Sequence, residues 1–543
     1  MRISLVSTTV TPETLKAAKP LVREFFTLAE VAVLSGNMTW TTGVTGTGTD
    51  RGRHDDGEAD ALITVEFNTT YFNFEAVTKI VDTVLDPNEG SDSSEPVITA
   101  CWIDVNRFGK SEIHLTFAQV QAVMEQPAVG REAPETLLVK RAVIALLSQV
   151  TGRELPWGVL TGIRPSKLIH YWADRGVHAG RRVEALCRRY GLRREKAQLL
   201  EQIVAVQQPY LQAMQAYPHQ VAVYASIPFC PSRCSYCSFP GQVPQRDRGD
   251  VRNYLVALRS EAAAVGEMMG RLGLRADALY LGGGTPTILG TGEIEELLAD
   301  LALKIPRTAT AELTVEAGRP DTLDAEKLAA LRACGVTRLS VNPQSMHEST
   351  LQRVGRIHTL AEVERAYHEA AALSGWVINM DLIIGLPGEG VAEVTESAAR
   401  IGLLRPANLT VHALALKRGS REWGQGYRHV DGSSLAQMQM ILGEAAHSWG
   451  LRPYYLYRQK QMAGNAENIG YALPGRECRY NIAIMEERQS VIGMGAGSST
   501  KVVNPGDFSL RNLQHQTDWR TYVDRWRQNH AKRVAEFGRI FPG

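Results

Sequence analysis

Val221-Ala222-Val223-Tyr224-Ala225-Ser226-Ile227-Pro228-Phe229-Cys230-Pro231-Ser232-Arg233-Cys234-Ser235-Tyr236-Cys237 is a strand candidate followed at once by a loop with three cysteines. Three thiolates on one loop can ligate three irons of a cubane, which leaves the fourth iron without a protein ligand. An open metal position separates a catalytic site from a closed structural one. Fully ligated ferredoxin clusters use another spacing with a fourth cysteine. A structural zinc site would also need a fourth ligand, and no second Cys-x2-Cys pair supplies it. A redox dithiol at Cys234 and Cys237 would leave Cys230 unexplained.

From Val221 onward the rhythm is strand, turn, helix, repeated. Strand candidates are 221–227, 276–281, 312–316, 337–342, 377–384 and 408–416, with helical runs such as 253–272 and 325–333 between them. Gly335, Gly375 and Gly450 stand where helices are expected to end. Alternation of this kind predicts a parallel sheet with right-handed crossovers, and six units predict an open, partial (β/α)6 barrel. In barrels the chemistry sits at the C-terminal strand ends, where the cysteine loop falls. The predicted class is therefore α/β: the partial barrel, an N-terminal α+β domain and a C-terminal α/β extension.

Residues 1–150 read as the N-terminal domain. They hold short strand-like runs such as Ala61–Phe67 and a loop from Gly43 to Asp60 rich in Gly, Thr and Asp. A helical connector is expected over 151–217, the barrel over 218–430 and a substrate-covering region over 431–543. The chain has 543 residues, 44% hydrophobic and 22% charged, with a net charge of +1. That balance carries no electrostatic footprint of a nucleic-acid partner, though a local arginine cluster could still receive an acidic substrate. The N-terminus lacks a signal-like apolar core, and no apolar run approaches ~18 residues, so no membrane span is expected. Seven cysteines, three of them crowded together, read as metal binding in a reducing compartment, by default the cytoplasm.

The Cys-x3-Cys-x2-Cys motif with an aromatic before its last cysteine resembles the signature of the radical S-adenosylmethionine (SAM) superfamily. The resemblance implies a [4Fe-4S] cluster on Cys230, Cys234 and Cys237, whose open iron binds the amino and carboxylate groups of SAM. One electron then splits the sulfonium to give a 5′-deoxyadenosyl radical. Further stretches fit: Leu281-Gly282-Gly283-Gly284-Thr285-Pro286-Thr287, whose glycines let a backbone approach a ligand closely; Glu316; Gln344-Ser345; Arg356-Ile357-His358; and Asp381-Leu382-Ile383-Ile384-Gly385-Leu386-Pro387-Gly388. An aspartate inside an apolar strand is costly unless paired, which makes Asp381 a candidate for ribose hydroxyls. The planar fork of Arg356 suits a carboxylate.

Together these motifs resemble, from about Val221 to Thr500, the oxygen-independent coproporphyrinogen III dehydrogenases. The resemblance implies SAM contacts from Tyr224, Tyr236, Gly283, Gly284, Thr285, Glu316, Gln344, Arg356, Asp381 and Ala413. Trp157-Gly158-Val159-Leu160-Thr161-Gly162-Ile163-Arg164-Pro165-Ser166-Lys167 and Asn465-Ala466-Glu467-Asn468-Ile469-Gly470-Tyr471 resemble the HemZ-type branch. One departure is Phe239, where the well-characterised dehydrogenases carry a further cysteine; the heme-trafficking relatives of HemW type lack it too. The implied activity is decarboxylation of coproporphyrinogen III to protoporphyrinogen IX, fed by a flavodoxin- or ferredoxin-like electron donor. The alternatives are a heme-binding chaperone or an enzyme of another tetrapyrrole. The tetrapyrrole is expected against Tyr454, Tyr455, Tyr457 and Tyr471, whose rings can pack on a macrocycle, with Arg458, Lys460 and Arg479 for its carboxylates.

Overall fold

A computed structural model describes residues 154–542, apart from 163, 240, 416–419, 421–429, 460–461 and 463–465, together with six strands before residue 116 and a few helical residues over 137–148. Lys460, Asn465 and most of the expected 43–60 loop lie outside the described residues. The chain divides into two compact units, Met1–Glu201 and Gln202–Gly543.

In the first unit, β1 (Arg2–Ser7), β2 (Met38–Val44) and β3 (Ala61–Phe67) form an antiparallel sheet in the order β1-β3-β2. β4 (Phe74–Val77), β5 (Ile98–Val105) and β6 (Gly109–Leu115) form a second, a simple meander. Helices α1 (Ser166–Ala173), α2 (Ala179–Tyr190) and the start of α3 (Arg194–Ala216) follow. The Trp157-Gly158-Val159 turn seats on the end of α2. Trp157 is fully buried, and Val159 N donates to Tyr190 O at 2.8 Å. Gly158 has φ +50°, and a Cβ there would lie 2.1 Å from Tyr190 O, so this position requires glycine.

The second unit is built on one eleven-stranded sheet. Its strands are β7 (Gln220–Ile227), β8 (Arg275–Gly283), β9 (Arg307–Ala317), β10 (Arg338–Val341), β11 (Val377–Ile384), β12 (Asn408–Ala413), β13 (Arg452–Tyr457), β14 (Asn468–Ala472), β15 (Val491–Met494), β16 (Ser499–Val503) and β17 (Leu510–Gln514). Their order is β13-β14-β12-β11-β10-β9-β8-β7-β15-β16-β17. β7 to β12 are parallel and adjacent in sequence order, joined by α4 (Gly249–Arg271), α5 (Thr291–Lys304), α6 (Ala325–Ala333), α7 (Glu348–Arg353), α8 (Leu360–Ala372) and α9 (Val391–Leu404). The sheet ends on β13 and β17, so the fold is the expected partial (β/α)6 barrel. α10 (Gly432–Ser448), α11 (Arg479–Glu486) and α12 (Trp519–Ile540) complete the unit. Strands covered on both faces read as continuous apolar runs, and β10 and β15 are buried at every residue.

The extension corrects the expected tetrapyrrole surface. Tyr454 and Tyr455 pack in a core cluster with Cys478, Ile482 and Ala483, and are 2% and 5% exposed. Tyr471 is buried as well. Arg479 donates its backbone N–H to Glu312 and its guanidinium to Thr310 O, in the N-terminal half of β9 and so away from the cysteine loop. Arg338, the first residue of β10, holds Arg476 O, so the segment leading into α11 fastens on the strand beginnings. Three of the four expected rings, Tyr454, Tyr455 and Tyr471, are instead packing residues of the extension, and Tyr457 at the end of β13 is only partly buried.

Candidate functional site

The cysteine loop leaves β7 and folds back on itself. Cys230 N donates to Gln242 O and Gln242 N to Pro228 O, a ring closed by the backbone. Cys234 is buried, while Cys230 and Cys237 are partly so. No three His, Cys, Asp or Glu side chains among the described residues converge on a point that could hold a single metal ion. Three thiolates that each ligate a different corner of a cubane require no such point.

The glycine run is shaped first by this loop. Gly284 N donates to Ile227 O at 2.7 Å and Thr285 N to Phe229 O at 2.8 Å. A Cβ on Gly284 would stand 2.5 Å from Phe229 O and 2.8 Å from Cys230 Sγ, and one on Gly283 2.8 Å from Ile227 O. The absent side chains let β8 press against the cysteine loop, in addition to any approach of a ligand.

Inside the barrel, next to these glycines, Tyr224 stacks with Tyr280 and Tyr480, with ring centroids 6.0 and 5.6 Å away. Tyr280 Oη donates to Glu316 Oε1 at 2.6 Å, and Gly283 N to Glu316 Oε2 at 3.1 Å. Burial pushes the Glu316 carboxyl up to about 7, against these two hydrogen bonds. On β11, Asp381 accepts from Asn379 Nδ2 at 2.7 Å, and His412 Nε2 of β12 stands 3.8 Å away. Burial opposes ionisation of Asp381, but the hydrogen bond and charge of His412, with Asn379 and Thr410, hold its pKa below the ordinary value. Asp381 is thus a ready anionic acceptor beside a carboxyl that holds its proton more tightly.

Gln344 adopts φ +69°, rare for a residue with a side chain. Its backbone accepts from Ile383 N and donates to Asp381 O, so it continues β10 alongside β11. Buried acceptors at this strand end, Asn342 Oδ1 and Gln344 Oε1, have no partner in the protein. Such atoms are costly to leave unpaired and fit the amine and hydroxyl donors of an adenosyl ligand. Tyr236 packs beside Val354, Ile383, Leu386 and Leu414, with its hydroxyl 3.5 Å from Arg356 Nη1. Arg356 Nη2 also holds Asn342 O at 2.8 Å, so this arginine fastens the β10 end as well as facing the loop. Ala413 ends β12, where Asn468 Oδ1 accepts from its N–H, so Asn468 holds the end of a barrel strand.

Two site residues were not evident in the sequence. His412 could have been flagged as a polar residue within an apolar strand, as Asp381 was. Arg319, in a Gly-Arg-Pro turn after β9, carried no signal, yet its Nη2 lies 2.9 Å from Ser232 O, 2.7 Å from Ser232 Oγ and 3.5 Å from Cys234 Sγ.

The rear of the loop is closed by α12. Trp519 Nε1 donates to Gln242 Oε1 at 3.1 Å, and the Trp519 ring lies 6.1 Å from that of Phe229. Tyr254 of α4 donates its hydroxyl to Ser226 O and accepts from Ala496 N. Behind it Glu261 and Arg533, 0% and 1% exposed, pair at 2.8 Å.

No helix among the described residues is long and apolar enough to cross a membrane. Residues 224–401 match the Radical SAM superfamily. The chain is 38% identical over 401 residues to the oxygen-independent coproporphyrinogen-III oxidase-like protein HemZ of Bacillus subtilis, covering 73% of this chain and 80% of that protein. It is 28% identical over 299 residues to the heme chaperone HemW of Escherichia coli, covering 54% and 73%. A solved structure, coproporphyrinogen III oxidase (HemN) from Escherichia coli, aligns with a TM-score of 0.48 at 22% identity over 60% of this chain and 73% of that one. The cofactors of the superfamily are a [4Fe-4S] cluster and SAM, and the loop, glycine run and orphaned acceptors fit them. With its motif region matched and four-fifths of HemZ covered at 38% identity, this chain belongs to the radical SAM superfamily, in the family of HemZ.

Proposed function

We propose that the chain decarboxylates coproporphyrinogen III without oxygen, converting two propionates to vinyl groups. The observation that carries this reading is the extent of the likeness to HemZ. It spans 401 residues, more than twice the 224–401 segment shared across the superfamily, and so takes in regions beyond the cofactor motifs.

When bound, the cluster and SAM supply the radical that removes a hydrogen atom from a propionate β-carbon; carbon dioxide and one further electron must then leave. Cys230, Cys234 and Cys237 hold the irons in this reading. Tyr224, Tyr236, Gly283, Gly284, Thr285, Glu316, Gln344, Arg356, Asp381 and Ala413 line the SAM side. Asp381, kept ionised by His412 and Asn379, accepts from the ribose hydroxyls. Asn342 Oδ1 and Gln344 Oε1 take the remaining donors. The substrate enters over the ends of β12 and β13, where Tyr457 Oη lies 3.4 Å from His412 Nδ1 and Arg458 follows for a propionate. A small flavodoxin- or ferredoxin-like protein supplies the electron.

The competing reading, a heme chaperone, is favoured by Phe239 in place of a fourth loop cysteine. Anaerobic mass spectrometry of coproporphyrinogen III incubated with cluster-loaded protein, SAM, dithionite and an electron acceptor separates the two. Vinyl products with release of carbon dioxide support decarboxylation. Tight heme binding with no consumption of coproporphyrinogen III under any donor and acceptor tried supports the chaperone.

A further inference from the structure

Among the described residues, Arg319 and Arg356 each bring a guanidinium to the cysteine loop from outside it, and the SAM reading accounts for Arg356 but not for Arg319. Arg319 is 2% exposed. Its Nη2 bridges Ser232 O, Ser232 Oγ and Cys234 Sγ, and its Nη1 is buried with no hydrogen-bond partner in the protein. Its backbone is fixed as firmly. Thr322 N and Oγ1 both donate to Arg319 O, and Thr322 Oγ1 shares a 2.6 Å hydrogen bond with Thr287 Oγ1 of the glycine-run turn. Lys327 Nζ, itself buried, donates to Thr287 O at 2.7 Å and Thr322 O at 3.0 Å. The turn bearing Arg319 is therefore riveted to the turn after β8 that seats the cysteine loop. A side chain so held is a preorganised element.

We propose that Arg319 is a positioning residue of the cluster: it fixes the Ser232–Cys234 segment and places a permanent positive charge beside the Cys234 thiolate, raising the cluster's reduction potential. The inference rests on the reading of Cys234 as an iron ligand. Guanidinium does not lose its proton in proteins. A fixed cation within a poorly solvated site favours the more negative of two cluster states, which is the reduced one. Charge and hydrogen bonds to the sulfurs are established levers on iron–sulfur potentials. The guanidinium adds geometry, since its Nη2 reaches a carbonyl and a hydroxyl of Ser232 and the sulfur of Cys234, tying together two residues of the loop.

The test is a dithionite titration of the full chain, loaded anaerobically, without SAM, monitored by the EPR signal of the reduced cluster. Arg319→Gln removes the charge and keeps a donor; Arg319→Lys keeps the charge and loses the fork. The expected result is that both variants bind iron and sulfide as the wild type does. Arg319→Gln should then disfavour reduction by at least about tenfold, ~59 mV for a one-electron couple, and Arg319→Lys by much less. Arg319→Gln at the wild-type potential overturns the inference, as does Arg319→Lys shifting as far as Arg319→Gln. If Arg319→Gln folds but loses iron while Arg319→Lys retains it, the charge is supported by loading alone; equal loss in both overturns it. Wild-type protein that binds no iron and sulfide would instead refute the thiolate reading beneath it.

Discussion

Replacing Arg533 with methionine isolates what the C-terminal helix contributes to the cluster region. Arg533 donates to Glu261 Oε1, Gly493 O, His515 Nε2, His530 Nδ1 and Thr500 Oγ1, all within 3.3 Å. Methionine fills much of the volume but leaves Glu261 with the hydrogen bonds from Tyr522 Oη at 2.6 Å and Gly495 N at 2.9 Å, and with His515 Nε2 at 3.7 Å. Removing one partner of a fully buried ion pair costs about 3–5 kcal/mol, which is roughly two to four orders of magnitude in an opening equilibrium. The assay is amide hydrogen exchange of α12 in the full chain, which reads local opening without requiring two-state unfolding of a two-unit protein. The pH dependence supplies a second readout. In the wild type, burial opposes ionisation of Glu261, but the Arg533 charge and the hydrogen bonds from Tyr522 and Arg533 prevail and hold its pKa below the ordinary value of 4.5. Its contribution is therefore present above that pH and lost only in acid. In Arg533→Met burial acts against a weaker opposition and the pKa moves up. The variant's deficit should then shrink as pH falls from 7 towards 5.5, because Glu261 takes up a proton. Protection of α12 within about fivefold of the wild type at pH 7, or a variant-to-wild-type ratio unchanged between the two pH values, would refute the reasoning.

Three further outcomes are expected. Substituting Cys230, Cys234 or Cys237 by alanine should abolish SAM cleavage and lower iron and sulfide content, whereas Cys187→Ala and Cys334→Ala should leave both unchanged; stoichiometric zinc without sulfide in the wild type contradicts the assignment. Asp381→Asn should weaken SAM binding by calorimetry at unchanged iron content, by about 10- to 100-fold, the worth of charge-assisted hydrogen bonds. Glu316, whose pKa burial raises to about 7, is neutral in the folded chain below 4.5 and must ionise at a cost as pH climbs towards 7. Stability of the SAM-free protein should therefore fall across that window, and Glu316→Gln should remove the part of the fall due to this group; identical pH profiles for the two proteins would show that Glu316 is not the group responsible.

The parallel half of the fold was legible because its strands are covered on both faces. Val377–Ile384 has the predicted limits, and the other five barrel strands differ at one or both ends. The last predicted strand was too long, since β12 stops at Ala413. What followed β12 was not legible. That β15 lies beside β7, about 270 residues earlier in the chain, is a long-range pairing no local pattern encodes. Tyr454 and Tyr455 were misread for a related reason: an aromatic that fills a barrel and one that faces a macrocycle look alike in sequence. The cysteine loop was evident because three thiols at close spacing are rare, whereas Arg319 resembled an ordinary turn residue until the fold placed it against Ser232 and Cys234.

The latch of Trp519 on Gln242 has a consequence for biosynthesis. The two residues are 277 positions apart. At ~5–20 residues per second, a ribosome needs on the order of 15–55 seconds to reach Trp519 after making Gln242. Throughout that interval the thiol-bearing loop exists without the helix that closes its rear, and its Phe229 ring lacks the cover of the Trp519 indole. The closure of the loop's rear is thus a late event in the making of the chain, set by the sequence distance between the two ends of the latch.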